Sequence, residues 1–112
     1  MYTLQEARNK LEEYIIFLNQ IYSQNYPELG INIVIYNSLT EKHDFGWIFY
    51  YQSDDSNSLI GGNGPVIIEN TTLNIYQLGT ALTTDEYLKI YNENKDKLPI
   101  LKKDNDGIWN IL

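Results

Sequence analysis

The segment Asp44–Ser53, DFGWIFYYQS, constrains the fold of this chain more than any other stretch. Phe45, Trp47, Phe49 and Tyr51 alternate onto one side of an extended strand. Ile48 and Tyr50 take the other side. A strand that is apolar on both sides belongs inside a sheet whose two faces are at least partly covered. Gly46 within it leaves room for a neighbouring backbone or marks a bulge.

The flanking sequence supplies the covering elements. Thr3-Leu4-Gln5-Glu6 has the spacing of a helix capping box. Leu4, Ala7, Leu11, Tyr14, Leu18 and Ile21 then recur at steps of three and four, which predicts an amphipathic helix over Leu4–Gln24. Asn25, Pro27 and Gly30 end it. Ile31–Tyr36 reads as a β-branched strand, and Asn37–His43 as a polar connection. Ser53–Gly64 is a polar, glycine-rich loop. Val66–Glu69 and Leu73–Leu78 form a hairpin around Asn70-Thr71-Thr72. Thr83 and Glu86 open a second helix that runs to about Asn94. Beyond it, Ile100-Leu101 and Ile108–Leu112 flank an Asp-Gly turn signal, which fits a small hairpin or a strap over the sheet. The expected fold is α+β: an antiparallel sheet of about four strands with an N-terminal and a C-terminal helix, in two layers. Residues 1–94 form the core of a single domain and residues 95–112 an apolar, basic tail.

Charge narrows the partners. The chain has 15 acidic and 8 basic residues in 112, a net charge of −7. The stretch from Met1 to Asn94 carries −8 and the tail +1. Direct binding of a phosphate backbone needs clustered Lys and Arg, so nucleic acid is not an expected partner. An acidic surface instead steers basic proteins toward it. Ten Tyr suit half-buried strand positions and interfaces. No cysteine is present, so neither a disulfide nor a thiolate metal site is expected. Charged residues interrupt Met1–Asn25, so no secretory leader is read there. No apolar run reaches the ~20 residues of a membrane helix. A cytoplasmic location is the expectation.

Catalytic signals are weak. The one histidine, His43, could be oriented by Asp44, but no nucleophile is placed beside the pair. Asp104-Asn105-Asp106-Gly107 lacks the spaced ligands and distal Glu of a calcium loop. Gly61-Gly62-Asn63-Gly64 lacks the Lys and helix start of a phosphate loop and reads as a flexible connector. No catalytic residue, metal or cofactor is expected.

Asp44-Phe45-Gly46-Trp47 followed by Phe49-Tyr50-Tyr51-Gln52-Ser53 resembles the signature of the immunity protein 35 family of bacterial polymorphic toxin systems. Leu59–Ile68, with its glycine-proline entry to a strand, is similar to the same family's next segment. Gly79-Thr80-Ala81 with Tyr87 and Tyr91 is similar to its closing strand and helix. The resemblance covers roughly residues 1–93; the tail departs from it. It implies a protein that binds and neutralises a cognate toxin, a basic nuclease being one class, by direct contact and without catalysis. The expected contact residues are Glu41, Asp44, Asp54, Asp55 and Glu69 with Tyr36, Tyr50 and Tyr76. The alternative is a stand-alone stress-related or small-ligand-binding domain with no toxin partner. Monomer and homodimer both fit the sequence.

Overall fold

The computed structural model describes residues 1–61 and 63–111. Helix α1 (Leu4–Asn25) starts at a capping box: the Glu6 amide donates to Thr3 Oγ1 and the Thr3 amide to Glu6 Oε1. Its stripe buries Ala7, Leu11, Tyr14 and Ile15. The aromatic segment forms two consecutive strands, β3 (Gly46–Phe49) and β4 (Tyr51–Ser53). Strand β4 pairs with β1 (Ile33–Ile35). Strand β3 lies between β2 (Glu41–His43) and β5 (Val66–Glu69). From β5 the sheet continues through β6 (Ile75–Gln77), β7 (Ile100–Lys103) and β8 (Trp109–Ile111). Every pair is antiparallel. Helix α2 (Thr84–Asn94) sits between β6 and β7 in sequence and opens on its own capping box, Thr83 with Glu86.

The sheet carries a core on each face. On one, Trp47, Phe49, Tyr51, Val66, Ile68 and Ile75 pack with the α1 stripe. On the other, Ile48, Ile67 and Tyr76 pack with Leu78, Leu98 and Tyr91 of α2. The alternation Val66, Ile67, Ile68 therefore feeds both cores in turn, and all three are fully buried. The α+β class with terminal helices and antiparallel strands agrees with expectation. The count of about four strands does not: among the described residues, eight strands divide into sheets of two and six. The two-layer arrangement is also corrected. The helices cover opposite faces, giving three layers.

Two further differences have local causes, and the tail takes one of its two expected forms. The polar connection Asn37–His43 contains strand β2, whose Glu-Lys-His sequence lacks the apolar alternation that marks a strand. Phe45 does not join Trp47 and Phe49. It lies in the two-residue turn between the paired His43 and Gly46, and its ring packs 4.7 Å from that of Tyr91. The tail is a hairpin, β7–β8, added to the sheet through β6. Trp109 from it meets Tyr14 of α1, ring centroids 5.4 Å apart.

Two glycines explain the motif that carries them. Gly46 has φ +145°, and a Cβ there would collide with the Ile68 carbonyl oxygen. A Cβ at Gly64 would collide with the carbonyl oxygen of Leu78. Both are places where one backbone lies directly against another.

Candidate functional site

Strands β1 and β2 run along the same flank of the aromatic segment as one interrupted strand. In the β1–β4 pair Ile35 faces Tyr51, and in the β2–β3 pair Glu41 faces Ile48. The register jumps by three residues between them, which is the length of the short 3₁₀ turn Asn37–Leu39. This bulge divides the strands into two sheets and pushes Leu39 out to 51% exposure. Its base is held on both sides. The Tyr36 amide donates to the Tyr50 carbonyl at 2.8 Å, and Arg8 Nε of α1 donates to Asn37 Oδ1 at 2.8 Å.

A polar cluster lies beside the bulge. The Tyr50 hydroxyl donates to Glu41 Oε2 at 2.9 Å and lies 3.4 Å from Thr84 Oγ1 at the start of α2. The other carboxylate oxygen of Glu41 is 3.1 Å from His43 Nε2. The imidazole stacks on Phe45, 5.0 Å away and 7° from parallel. Burial raises the Tyr50 pKa above the ordinary phenol value, and the carboxylates of Glu41 and Asp85 add to the shift. Glu41, not Asp44, meets His43. The cluster can therefore fix the orientation of one carboxylate and an aromatic side chain, while its histidine is occupied by that carboxylate.

The flank continues past Tyr50. The Tyr36 hydroxyl donates to the Ser53 carbonyl at 2.6 Å. Asp54 follows, its amide donating to the Asn32 carbonyl and its carboxylate accepting from Asn32 Nδ2 at 2.9 Å. Asp55 Oδ1 accepts from the Asn57 amide at 2.9 Å. Asp44 lies in the turn at the opposite end. Six of the eight expected contact residues, Tyr36, Glu41, Asp44, Tyr50, Asp54 and Asp55, thus lie along one flank. About 30 Å of extended chain separates its ends.

Glu69 and Tyr76 lie elsewhere. Glu69 is 4% exposed and Tyr76 3%. Both are covered by α2 and its exit, so neither presents a contact surface. Glu69 accepts from the Tyr91 hydroxyl at 2.6 Å, Lys95 Nζ at 2.8 Å and Thr72 Oγ1 at 2.8 Å. Burial alone would raise its pKa, but these three donors outweigh it and the net shift is downward.

The loop after β4 is pinned rather than free. Gln52 Oε1 accepts from the Ile60 and Ser53 amides, both at 2.7 Å, and Gln52 Nε2 donates to the Ile60 carbonyl at 3.0 Å. Asn63 Nδ2 donates to the Tyr51 carbonyl at 2.7 Å. Ile60 is buried in the α1-side core. The connector reading of Gly61–Gly64 is corrected at Asn63 and Gly64; Gly62 lies outside the described residues. The Gln-Ser end of the motif is thus a loop anchor. Sequence reasoning missed this, although a polar Gln within an aromatic strand is a signal for a side chain that bonds to backbone.

Among the described residues, no three His, Asp or Glu side chains converge to hold a metal. Asp104 is instead engaged by its own turn, accepting from the amides of Asp106 and Ile108. Among the described residues, no helix is long and apolar enough to cross a membrane. Searches of family models, of curated proteins and of solved structures find no match to this chain.

Proposed function

We propose that the chain is a binding protein of the immunity type, which neutralises a cognate protein toxin by lying against it with the β1–β2 flank. The observation that carries this reading is the alignment of Glu41, Tyr50, Tyr36, Asp54 and Asp55 beside the protruding Leu39. A pre-ordered acidic strip with a central apolar residue matches what protein recognition uses. Charge steers the encounter, and an anchor carries affinity. Glu41 and Asp54 are held by hydrogen bonds, so little side-chain freedom remains to be lost on association. The motif residues outside the strip, Gly46, Gln52, Ser53 and Gly64, build its scaffold. The net charge of −7 favours a basic partner.

The test is co-expression with any toxin domain that a neighbouring gene encodes, scored by growth and by affinity of the purified pair. Glu41→Lys with Asp54→Lys is expected to slow association about 10-fold or more at low salt, and Leu39→Asp to speed dissociation. Full protection by all three substitutions together would move the contact surface elsewhere. Absence of any complex with the wild type would overturn the immunity reading itself.

A further inference from the structure

The six-stranded sheet has two edges, and they differ in chemistry. The β2 edge carries Glu41, Lys42 and His43, charges of the kind that keep sheet edges from pairing. The β8 edge is Trp109-Asn110-Ile111, with no charge. Among the described residues no strand lies outside it. Ile111 is 61% exposed and Ile108 beside it 48%.

The register shows which backbone groups point outward. The Asp104 amide donates to the Ile108 carbonyl at 2.9 Å, which closes the β7–β8 turn. Pairs alternate along an antiparallel ladder between those that exchange hydrogen bonds and those that do not. Lys102 with Asn110 is therefore a bonded pair, whereas Lys103 with Trp109 and Leu101 with Ile111 are not. The same alternation on the inner side agrees: the Gln77 amide donates to the Pro99 carbonyl at 2.9 Å, two residues before Leu101. Trp109 and Ile111 thus direct their N–H and C=O groups away from β7, toward the open edge.

We infer that this edge pairs with a second copy of itself, antiparallel across a two-fold axis at Asn110. In that register Trp109 of one copy stands opposite Ile111 of the other. The two outward residues of each strand then exchange all their backbone hydrogen bonds. The exposed Ile111 side chain lies on the same face as the partner copy's Trp109 ring and shields its edge. Nothing charged is buried, and the strand is complementary to itself without change of shape. The proposal is independent of the toxin reading. It places the two β2 flanks at opposite ends of a doubled sheet, both free.

Two features set the strength and the salt dependence. Three-residue pairing falls well short of the ~1,200 Å² of a stable interface, so the dimer is weak and concentration-dependent. Each copy carries −7, so the copies repel. Because the contact contains no ion pair, added salt strengthens it by screening that repulsion.

The experiment is sedimentation of the full chain from about 10 μM to about 1 mM, a range set to span a weak interface, at low and high salt. Hydrogen exchange of the Trp109 and Ile111 amides is read alongside. Reversible dimerisation that rises with salt, with both amides protected at high concentration only, supports the inference. Ile111→Pro removes an outward donor but no β7–β8 hydrogen bond, and is expected to be a folded monomer. Ile111→Lys serves the same purpose if the proline variant fails to fold. A wild type that stays monomeric throughout overturns the pairing. So does a dimer that persists in a folded Ile111 variant.

Discussion

The Tyr91 hydroxyl donates to Glu69 Oε2 at 2.6 Å, and this bond ties helix α2 to the middle of the sheet. Lys95, at the exit of the same helix, reaches the same oxygen. Glu69→Ala leaves the Tyr91 hydroxyl without its acceptor and is expected to cost about 2–4 kcal/mol in denaturant unfolding, with Glu69→Gln costing less. The pH dependence has a fixed sign. The folded carboxyl titrates below its unfolded value. Its contribution is complete above the unfolded pKa of about 4.3 and is lost as pH falls through the lower folded value. Unfolding free energy measured from pH 6 down to roughly pH 3 is expected to fall more steeply in the wild type than in Glu69→Gln.

Tyrosine ionisation reads both cores at once. Burial raises Tyr14, Tyr50, Tyr51 and Tyr91 above the ordinary phenol value, and the Glu69 carboxylate adds to the rise at Tyr91. A spectrophotometric titration is expected to show these four of the ten Tyr lagging, with Tyr51 and Tyr91 ionising only as the fold opens. A single transition near pH 10 for all of them would contradict that placement.

Gly46 and Gly64 are expected to tolerate no side chain. At either position alanine would drive a methyl into a carbonyl oxygen of the adjoining chain, at Gly46 with an unfavourable φ as well. A loss of about 3 kcal/mol or more is expected for each. Gly30, also at positive φ but with open space around it, is expected to lose only about 1 kcal/mol on the same change. Thermal melts of the three variants compare them directly.

Gln52→Ala is expected to release the loop that follows β4 and to lower the global melt by only several degrees. It removes the amide side chain that satisfies Ile60 and Ser53. Faster proteolysis within the loop, at a global stability lowered by about 1–2 kcal/mol, is the expected pattern.

The elements that rest on local chemistry were legible in the residues. Both capping boxes, the Ala7, Leu11 and Tyr14 stretch of the α1 stripe and the Val66–Gln77 hairpin depend on neighbours within a few positions, whereas Leu4 at the head of that stripe is 47% exposed. What was not legible depends on distant partners. Glu69 reads as a surface acid until Tyr91 and Lys95 arrive more than twenty residues later. Tyr76 sits on the face opposite Ile75, as alternation predicts. That α2 covers this face rather than the α1 side is a tertiary choice. Strand β2 was hidden because edge strands are charged to avoid pairing, which erases the alternation that reveals a strand. Tyr36, Glu41 and Tyr50 lie in three separate segments of the sequence. Their assembly around a three-residue bulge is a property of register, which no single segment encodes.

The contact of Trp109 with Tyr14 has a consequence for synthesis. Helix α1 leaves the ribosome before the strands it packs on, yet part of its buried stripe is sealed by a residue made almost a hundred positions later. Strands β1 and β3 can cover most of that stripe earlier, but Tyr14 lacks the Trp109 ring until the β7–β8 hairpin emerges. Chain closure of that length is slow compared with helix formation. Full cover of Tyr14 therefore requires the β7–β8 hairpin, and during translation that uncovered part of the stripe is the surface that a chaperone would meet.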